Sequence, residues 1–240
     1  MRKARVVLIT GGTRGIGYAV AEALLRAGDH VAFTGTNDDG VMKAQHALSS
    51  IDGGGQVAGI VCDVRDAAAT ELAVRTVIAK FSGLDVLVNC AGVGVGAPIS
   101  SLPHDEWDRI IGTNLTGVFN CCKAAIPHLK TRGGGWIVNI SSLASTNPFP
   151  GGAAYCASKA GLNAFSDALM QELRYDNIRV TSILPGSVAT GFSGREPDAG
   201  AEWKLLPEDV AEAIVDVLNH PARSLPSRIE IRPSRPKKSS

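Results

Sequence analysis

Arg5-Val6-Val7-Leu8-Ile9-Thr10 runs without interruption into Gly11-Gly12-Thr13-Arg14-Gly15-Ile16-Gly17 and then into Tyr18-Ala19-Val20-Ala21. The opening stretch is a continuous apolar run, as expected of a parallel strand buried on both faces rather than one half exposed. From Tyr18 to Arg26 the period changes, and Ala19, Val20, Ala23 and Leu24 share one helical face. The glycines between have separate uses. Gly11 permits a sharp turn off the strand. Gly15 lets the backbone approach a pyrophosphate with no Cβ in the way, and Gly17 lets the helix pack closely on the sheet. A diphosphate would then rest on free N–H groups at the positive end of the helix. A glycine-rich loop alone is a weak signal, because turns need glycine anyway. Placed strand–turn–helix, it points to dinucleotide binding.

The same alternation continues along the chain. His30 to Thr34, Val57 to Cys62, Leu84 to Asn89, Trp136 to Ile140 and Val180 to Leu184 read as strands. Helical periods fill Val41 to Ser49, Ala67 to Phe81, Trp107 to Lys130, Ala153 to Tyr175 and Pro207 to Asn219, the last with Pro where its missing N–H costs little. Arg228-Ile229-Glu230-Ile231-Arg232 alternates like an edge strand. This order predicts an α/β fold, a doubly wound parallel sheet of about seven strands with helices on both faces. No repeat or linker interrupts it, so residues 1–232 are expected to form a single domain, followed by a basic, solvated tail over 233–240.

The 240 residues carry a formal net charge of +1. Such a balance gives no reason to expect nucleic acid or an anionic membrane as partner. Cys62, Cys90, Cys121, Cys122 and Cys156 are odd in number and lack CxxC spacing, and no His stands at metal-ligand spacing. A reduced, cytoplasmic chain with no metal site is expected. No stretch reaches the ~18 apolar residues of a membrane span, and Val6 to Thr10 is too short for a signal-peptide core.

The glycine spacing, Thr10-Gly11-x3-Gly15-x-Gly17, resembles that of the short-chain dehydrogenase/reductase family, and further elements follow in the family's order. Asn89-Cys90-Ala91-Gly92 is similar to its Asn-Asn-Ala-Gly element, with Cys in place of the second Asn. Asn114 stands where the family has its catalytic Asn. Ser142 lies 13 positions before Tyr155, and Tyr155-Cys156-Ala157-Ser158-Lys159 matches Tyr-x3-Lys. Pro185-Gly186 with Thr190 matches the element that holds a nicotinamide. The resemblance implies an enzyme transferring hydride between a nicotinamide cofactor and a carbonyl or alcohol.

Tyr155 and Lys159, four apart on a helix, share one face. An ammonium beside a phenol favours phenolate and lowers its pKa from near 10, which would let Tyr155 give a proton to a carbonyl oxygen or take it from an alcohol. A core tyrosine beside a surface lysine is the plainer alternative for a lone pair of this spacing. Ser142 would bind the substrate oxygen as charge develops; Ser141 is its rival, although adjacent strand-end residues point oppositely. By resemblance, Lys159 also binds the nicotinamide ribose, and Asn114 distorts its helix and holds a water that links Lys159 to solvent. The implied cofactor contacts are Gly11, Thr13, Arg14, Gly15, Ile16, Gly17, Thr36, Asp63, Val64, Asn89, Ala91, Gly92, Tyr155, Lys159, Pro185, Gly186, Val188 and Thr190. Asn89 would tie neighbouring strands together, and Asp63 would accept from the adenine amino group or N-cap the next helix.

A 2′-hydroxyl is normally held by an acid about 20 residues past the glycine loop. Here Gly35-Thr36-Asn37 is neutral, and Arg14 can meet a 2′-phosphate. NADP(H) is therefore preferred over NAD(H), unless the strand runs on far enough for Asp38 to reach the ribose. Residues 191–206, with Trp203, read as a mobile flap, and Ser145 to Gly152, with Phe149, as the opposite wall. Relatives that reduce 3-oxoacyl thioesters usually end in a glycine-rich strand end; Ile229-Glu230-Ile231-Arg232-Pro233 departs from that. A ketone or 3-oxoacyl thioester reductase, a sugar or polyol dehydrogenase, and a non-catalytic dinucleotide sensor all remain open. The family's habit implies a homodimer or homotetramer through the two longest helices.

Overall fold

The computed structural model describes residues 3–94, 96–192 and 201–236. Its sheet has seven parallel strands in the order β3-β2-β1-β4-β5-β6-β7. They are β1 (Val6–Thr10), β2 (His30–Gly35), β3 (Val57–Val61), β4 (Val86–Asn89), β5 (Gly135–Ile140), β6 (Ile178–Pro185) and β7 (Arg228–Ile231). β1 pairs with both β2 and β4, so the strand order reverses at β1. The carboxyl ends of β1 and β4 thus flank a crevice where a ligand can enter.

The apolar run of β1 is explained by two cores. Val7 and Ile9 point into one, with α1 (Gly15–Arg26), α2 (Asp38–Ser49) and α7 (Pro207–Leu218) packed over them. Val6 and Leu8 point into the other, beneath α3 (Ala67–Phe81), α5 (Gly117–Thr131) and α6 (Ala153–Leu173). Each such side chain, fully buried, contributes roughly 1.5–3 kcal/mol. The expected strand at 228–232 is the sheet's edge, and only Ile229 and Ile231 of it pack on the core.

Three boundaries differ from expectation. α1 begins at Gly15 and absorbs two of the loop glycines. α2 begins at Asp38, which places Asp38 and Asp39 in a first helical turn, where the helix dipole favours them. The single helix expected over 107–130 is three pieces: α4 (His104–Ile111), a π turn (Gly112–Thr116) and α5. Among the described residues no helix is long and apolar enough to cross a membrane.

Candidate active site

The turn after β1 needs glycine at four places, one of them Gly12, where a Cβ would lie 2.5 Å from the Phe33 Cβ. Gly11 has φ +69°, and a Cβ there would lie 2.8 Å from the Ala91 Cα. A Cβ on Gly17 would meet the Gly11 carbonyl oxygen at 2.4 Å, so α1 starts against the turn itself rather than merely near the sheet. Gly15, at φ +56°, faces the Thr190 methyl. Arg14 is the N-cap of α1 and makes no side-chain capping bond. The Arg14 side chain thus leaves the first turn of α1 uncapped, although the Gly17 N–H is engaged by the Cys90 thiol. Thr10 Oγ1 accepts from the Cys90 and Ala91 N–H groups at 3.0 and 3.1 Å, locking the ends of β1 and β4 together.

Tyr155 and Lys159 lie near the start of α6, with Lys159 Nζ 5.9 Å from the centre of the Tyr155 ring. Lys159 is buried and donates from Nζ to the Ile140 carbonyl at 2.8 Å. Burial pushes its ammonium down to about 8. The expected lowering of the Tyr155 pKa by Lys159 is not found. Burial of the phenol is the larger influence and raises its pKa, while a hydrogen bond with the Ser142 side chain is what pulls it down. An ammonium that is itself poorly solvated and committed to a backbone carbonyl is not the group that acts on the phenol. The Ser142 and Ser141 side chains diverge. Ser141 Oγ donates to the Lys159 carbonyl inside the fold, whereas Ser142 lines the open cleft.

Asn114 occupies the middle of the π turn and is fully buried. Its Oδ1 accepts from the Val93 N–H at 2.8 Å, and its Nδ2 donates to the Val93 carbonyl and to Ser158 Oγ. Both amide protons are thus used to hold the loop after β4 against α6. A Cβ on Gly92 would lie 3.5 Å from Asn114 Oδ1 and 3.7 Å from Lys159 Nζ, so these two groups approach the same glycine. Asn89 donates to Asn139 Oδ1 on β5, and Asn139 donates in turn to Ser166 Oγ on α6.

At the far half of the crevice, Asp63 forms a bidentate ion pair with Arg65, which holds its carboxyl below the usual range. The N-cap of α3 is Asp66, whose carboxylate accepts from Ala68 and Ala69, so the capping alternative for Asp63 does not hold. Val64 is buried, and its carbonyl is taken by Asn120. β2 stops at Gly35, where a Cβ would strike the Thr13 methyl. Thr36 is exposed just beyond, and Asp38 lies inside α2 rather than on the strand. Arg14 is exposed too and donates to the Gly191 carbonyl at 3.3 Å. Ile16 packs on the first core, Pro185 ends β6, and Val188 bridges to Leu205.

Ser142 and Tyr155 share the wall of a cleft of about 430 Å³. Phe149 and Trp203 line it, in keeping with the two expected flanking segments; residues 193–200 of the proposed flap lie outside the described residues. Arg232, Pro233 and Pro236 line it as well. The tail, expected to be solvated, is exposed at 234–236 yet closes one side of the cleft, because Gly186 donates to the Ile231 carbonyl and lets Pro233 approach. Phe192 stands edge-on to Tyr155 at 5.9 Å. Phe192 falls within the flanking segment expected at 191–206, whereas the tail is not legible as part of the site, since nothing in a local pattern brings distant segments to one cleft.

The model of the short chain dehydrogenase family matches residues 5–199. A 3alpha-hydroxysteroid dehydrogenase of Mediterraneibacter gnavus is 33% identical over 90% of each chain. A 3-oxoacyl-acyl-carrier-protein reductase of Chlamydia trachomatis is 34% identical, over 87% of this chain and 88% of that one. Among solved structures, an alcohol dehydrogenase of Thermococcus sibiricus complexed with 5-hydroxy-NADP superposes with a TM-score of 0.90 at 31% identity, covering 98% of this chain and all of the other. The chain belongs to the short-chain dehydrogenase/reductase family and is an oxidoreductase of alcohol and carbonyl groups.

Proposed function

We propose that this protein is an NADP(H)-dependent reductase of ketones or 3-oxoacyl thioesters, with Tyr155 as proton donor and Ser142 holding the substrate oxygen. The observation that carries the reading is that these two hydroxyls lie together on the wall of one open cleft. Ser142 Oγ accepts from the Ala144 N–H, and its one proton, which favours phenolate when it is directed at Tyr155, would turn to an oxygen bound in the cleft. Tyr155, a phenol protonated at neutral pH and made still less acidic by burial, is set to give its proton to a carbonyl oxygen as negative charge develops there. The bound nicotinamide would supply the hydride.

The remaining residues have supporting parts in this reading. Gly11, Gly15, Ile16 and Gly17 would cradle the diphosphate, with Thr13 and Thr190 beside it. Asp63 and Val64 would hold the adenine, Asn89, Ala91 and Gly92 its ribose, and Pro185, Gly186 and Val188 the nicotinamide. Lys159 would meet the second ribose, and Asn114, with one Oδ1 lone pair uncommitted, would anchor the water that resupplies protons. NADP(H) is favoured over NAD(H) because β2 ends at Gly35 with no acid on the strand, while Arg14 is exposed at the mouth of the crevice. The solved relative with a bound 5-hydroxy-NADP supports the same choice. An NAD-dependent polyol dehydrogenase is the second reading, favoured by the departure of the tail from the glycine-rich end. Trp107 and Phe119, exposed on α4 and α5, support assembly into a homodimer or homotetramer.

The test is a screen of ketones, 3-oxoacyl thioesters and polyols with both cofactors, followed by Tyr155→Phe. The variant should lose turnover and keep cofactor affinity. Equal activity in the variant defeats the mechanism.

A further inference from the structure

We infer that Asn163 is a positioning residue for Ser142, acting through the hydroxyl of Ser145. The inference rests on the reading of Ser142 as the group that holds the substrate oxygen. Tyr155, Lys159 and Asn163 follow one another at intervals of four on α6, so they rise along one face of that helix. Tyr155 reaches the cleft and Lys159 reaches Ile140; Asn163, buried, reaches the short turn that carries Ser142.

The geometry is a directed chain. Asn163 Nδ2 donates to Ser145 Oγ at 2.7 Å, and Ser145 Oγ donates to the Ser142 carbonyl at 2.5 Å. The Ser145 N–H donates to that same carbonyl at 3.0 Å. Because Asn163 takes up an acceptor lone pair of the Ser145 oxygen, the Ser145 proton is aimed at the Ser142 carbonyl. Two donors then fix the Ser142 backbone, while its own Oγ accepts from the Ala144 N–H.

The anchor is needed because the sheet stops short of Ser142. The last ladder bond at this end is the Ser141 N–H to the Ile183 carbonyl. Beyond it the chain enters a 3-10 turn of three residues, Leu143–Ser145, a type of element with poor internal hydrogen-bond geometry. Asn163 ties that turn to a helix of 21 residues. Packing alone does not select an amide here. The Asn163 Oδ1 is buried without a hydrogen-bond partner among the described residues, and a leucine would fill the volume at lower cost.

The experiment compares Asn163→Leu, Ser145→Ala, the double variant, Ser142→Ala and Tyr155→Phe, using the best ketone from the screen. For each, kcat, KM, cofactor dissociation constant and melting temperature are measured. Asn163→Leu should lower kcat by roughly tenfold to a hundredfold, the scale of a misplaced catalytic group. Its cofactor affinity and melting temperature should stay near wild type. The double variant should lose no more than the worse single one, since both act through one hydroxyl. An Asn163→Leu enzyme with wild-type kcat overturns the inference. So does a loss of kcat that runs in parallel with lost cofactor affinity and melting temperature, because that marks a purely structural role. Full activity in Ser142→Ala or Tyr155→Phe instead overturns the proposed function, and is thereby distinguishable.

Discussion

Lys159 Nζ donates to the Ile140 carbonyl oxygen at 2.8 Å, which fixes a buried ammonium against the last residue of β5. The position is costly to the fold. Burial lowers the Lys159 pKa from 10.5 to about 8. Between those values the unfolded chain holds the extra proton, so this group makes stability rise with pH across that window and weigh fully against folding below it. The cost at neutral pH is on the order of 3 kcal/mol. Lys159→Met removes it, but leaves the Ile140 carbonyl without a donor at about 1–3 kcal/mol. Urea unfolding at pH 7 should therefore find Lys159→Met no less stable than wild type although its turnover is lost, with the comparison shifting toward wild type as pH rises from 8 to 10. A variant much less stable at pH 7 would contradict this.

Ser142 is predicted to tune Tyr155 as well as to hold substrate. Burial raises the phenol pKa, and the bond to Ser142 is what opposes the rise. Removing the hydroxyl in Ser142→Ala leaves phenolate less favoured. Alcohol oxidation, which needs the phenolate, should then gain its activity at higher pH than in wild type, beyond any drop in maximal rate. The check is the pH profile of kcat for oxidation; a midpoint that stays in place or moves down rules out the contact as the cause.

Much of this was legible beforehand, for physical reasons. A strand buried on both faces must be apolar throughout, so β1 and its neighbours announce themselves, and glycines required by backbone contact cannot be disguised. The π turn at Gly112–Thr116 is invisible to periodicity, because Ile110 before it, Leu115 within it and Val118 after it keep an apolar rhythm. The direction of the Tyr155 pKa does not follow from spacing for a related reason: spacing puts Lys159 on the same face but says nothing of its burial or of its bond to Ile140. Asp66, not Asp63, caps α3, a choice between two acids three residues apart that only the backbone decides.

The choice of cofactor is predicted to turn on two positions. Arg14→Ala removes the cation offered to a 2′-phosphate, and Thr36→Asp places a carboxylate just past the end of β2. A charge-assisted hydrogen bond is worth about 1.5–3 kcal/mol, so the combined variant should move the ratio of kcat/KM for NADPH over NADH down by at least about tenfold. A wild-type enzyme that already favours NADH, or a ratio unmoved by both changes, would show that these residues do not read the phosphate.

Four of the five cysteines, Cys62, Cys90, Cys121 and Cys122, are predicted to be inert despite one of them standing beside the site. Cys90 replaces an asparagine of the family's pattern and lies close enough to Lys159 and the Gly17 N–H for both to pull its pKa down, yet burial prevails and raises it to about 12. Cys122 reaches about 12 and Cys62 about 11 by the same cause, and Cys121 is raised as well. The thiolate is the reacting form, and near pH 8 such thiols hold roughly a hundredfold (Cys62) to a thousandfold (Cys90 and Cys122) less of it than a free cysteine. Titration of the native protein with an aromatic disulfide reagent should leave these four thiols unmodified while activity persists, and unfolding should release all five cysteines of the chain. Rapid modification of Cys90 with loss of activity would mean that the opening between β1 and β4 admits solvent, and with it that the phenol and the ammonium nearby are better hydrated than their burial implies.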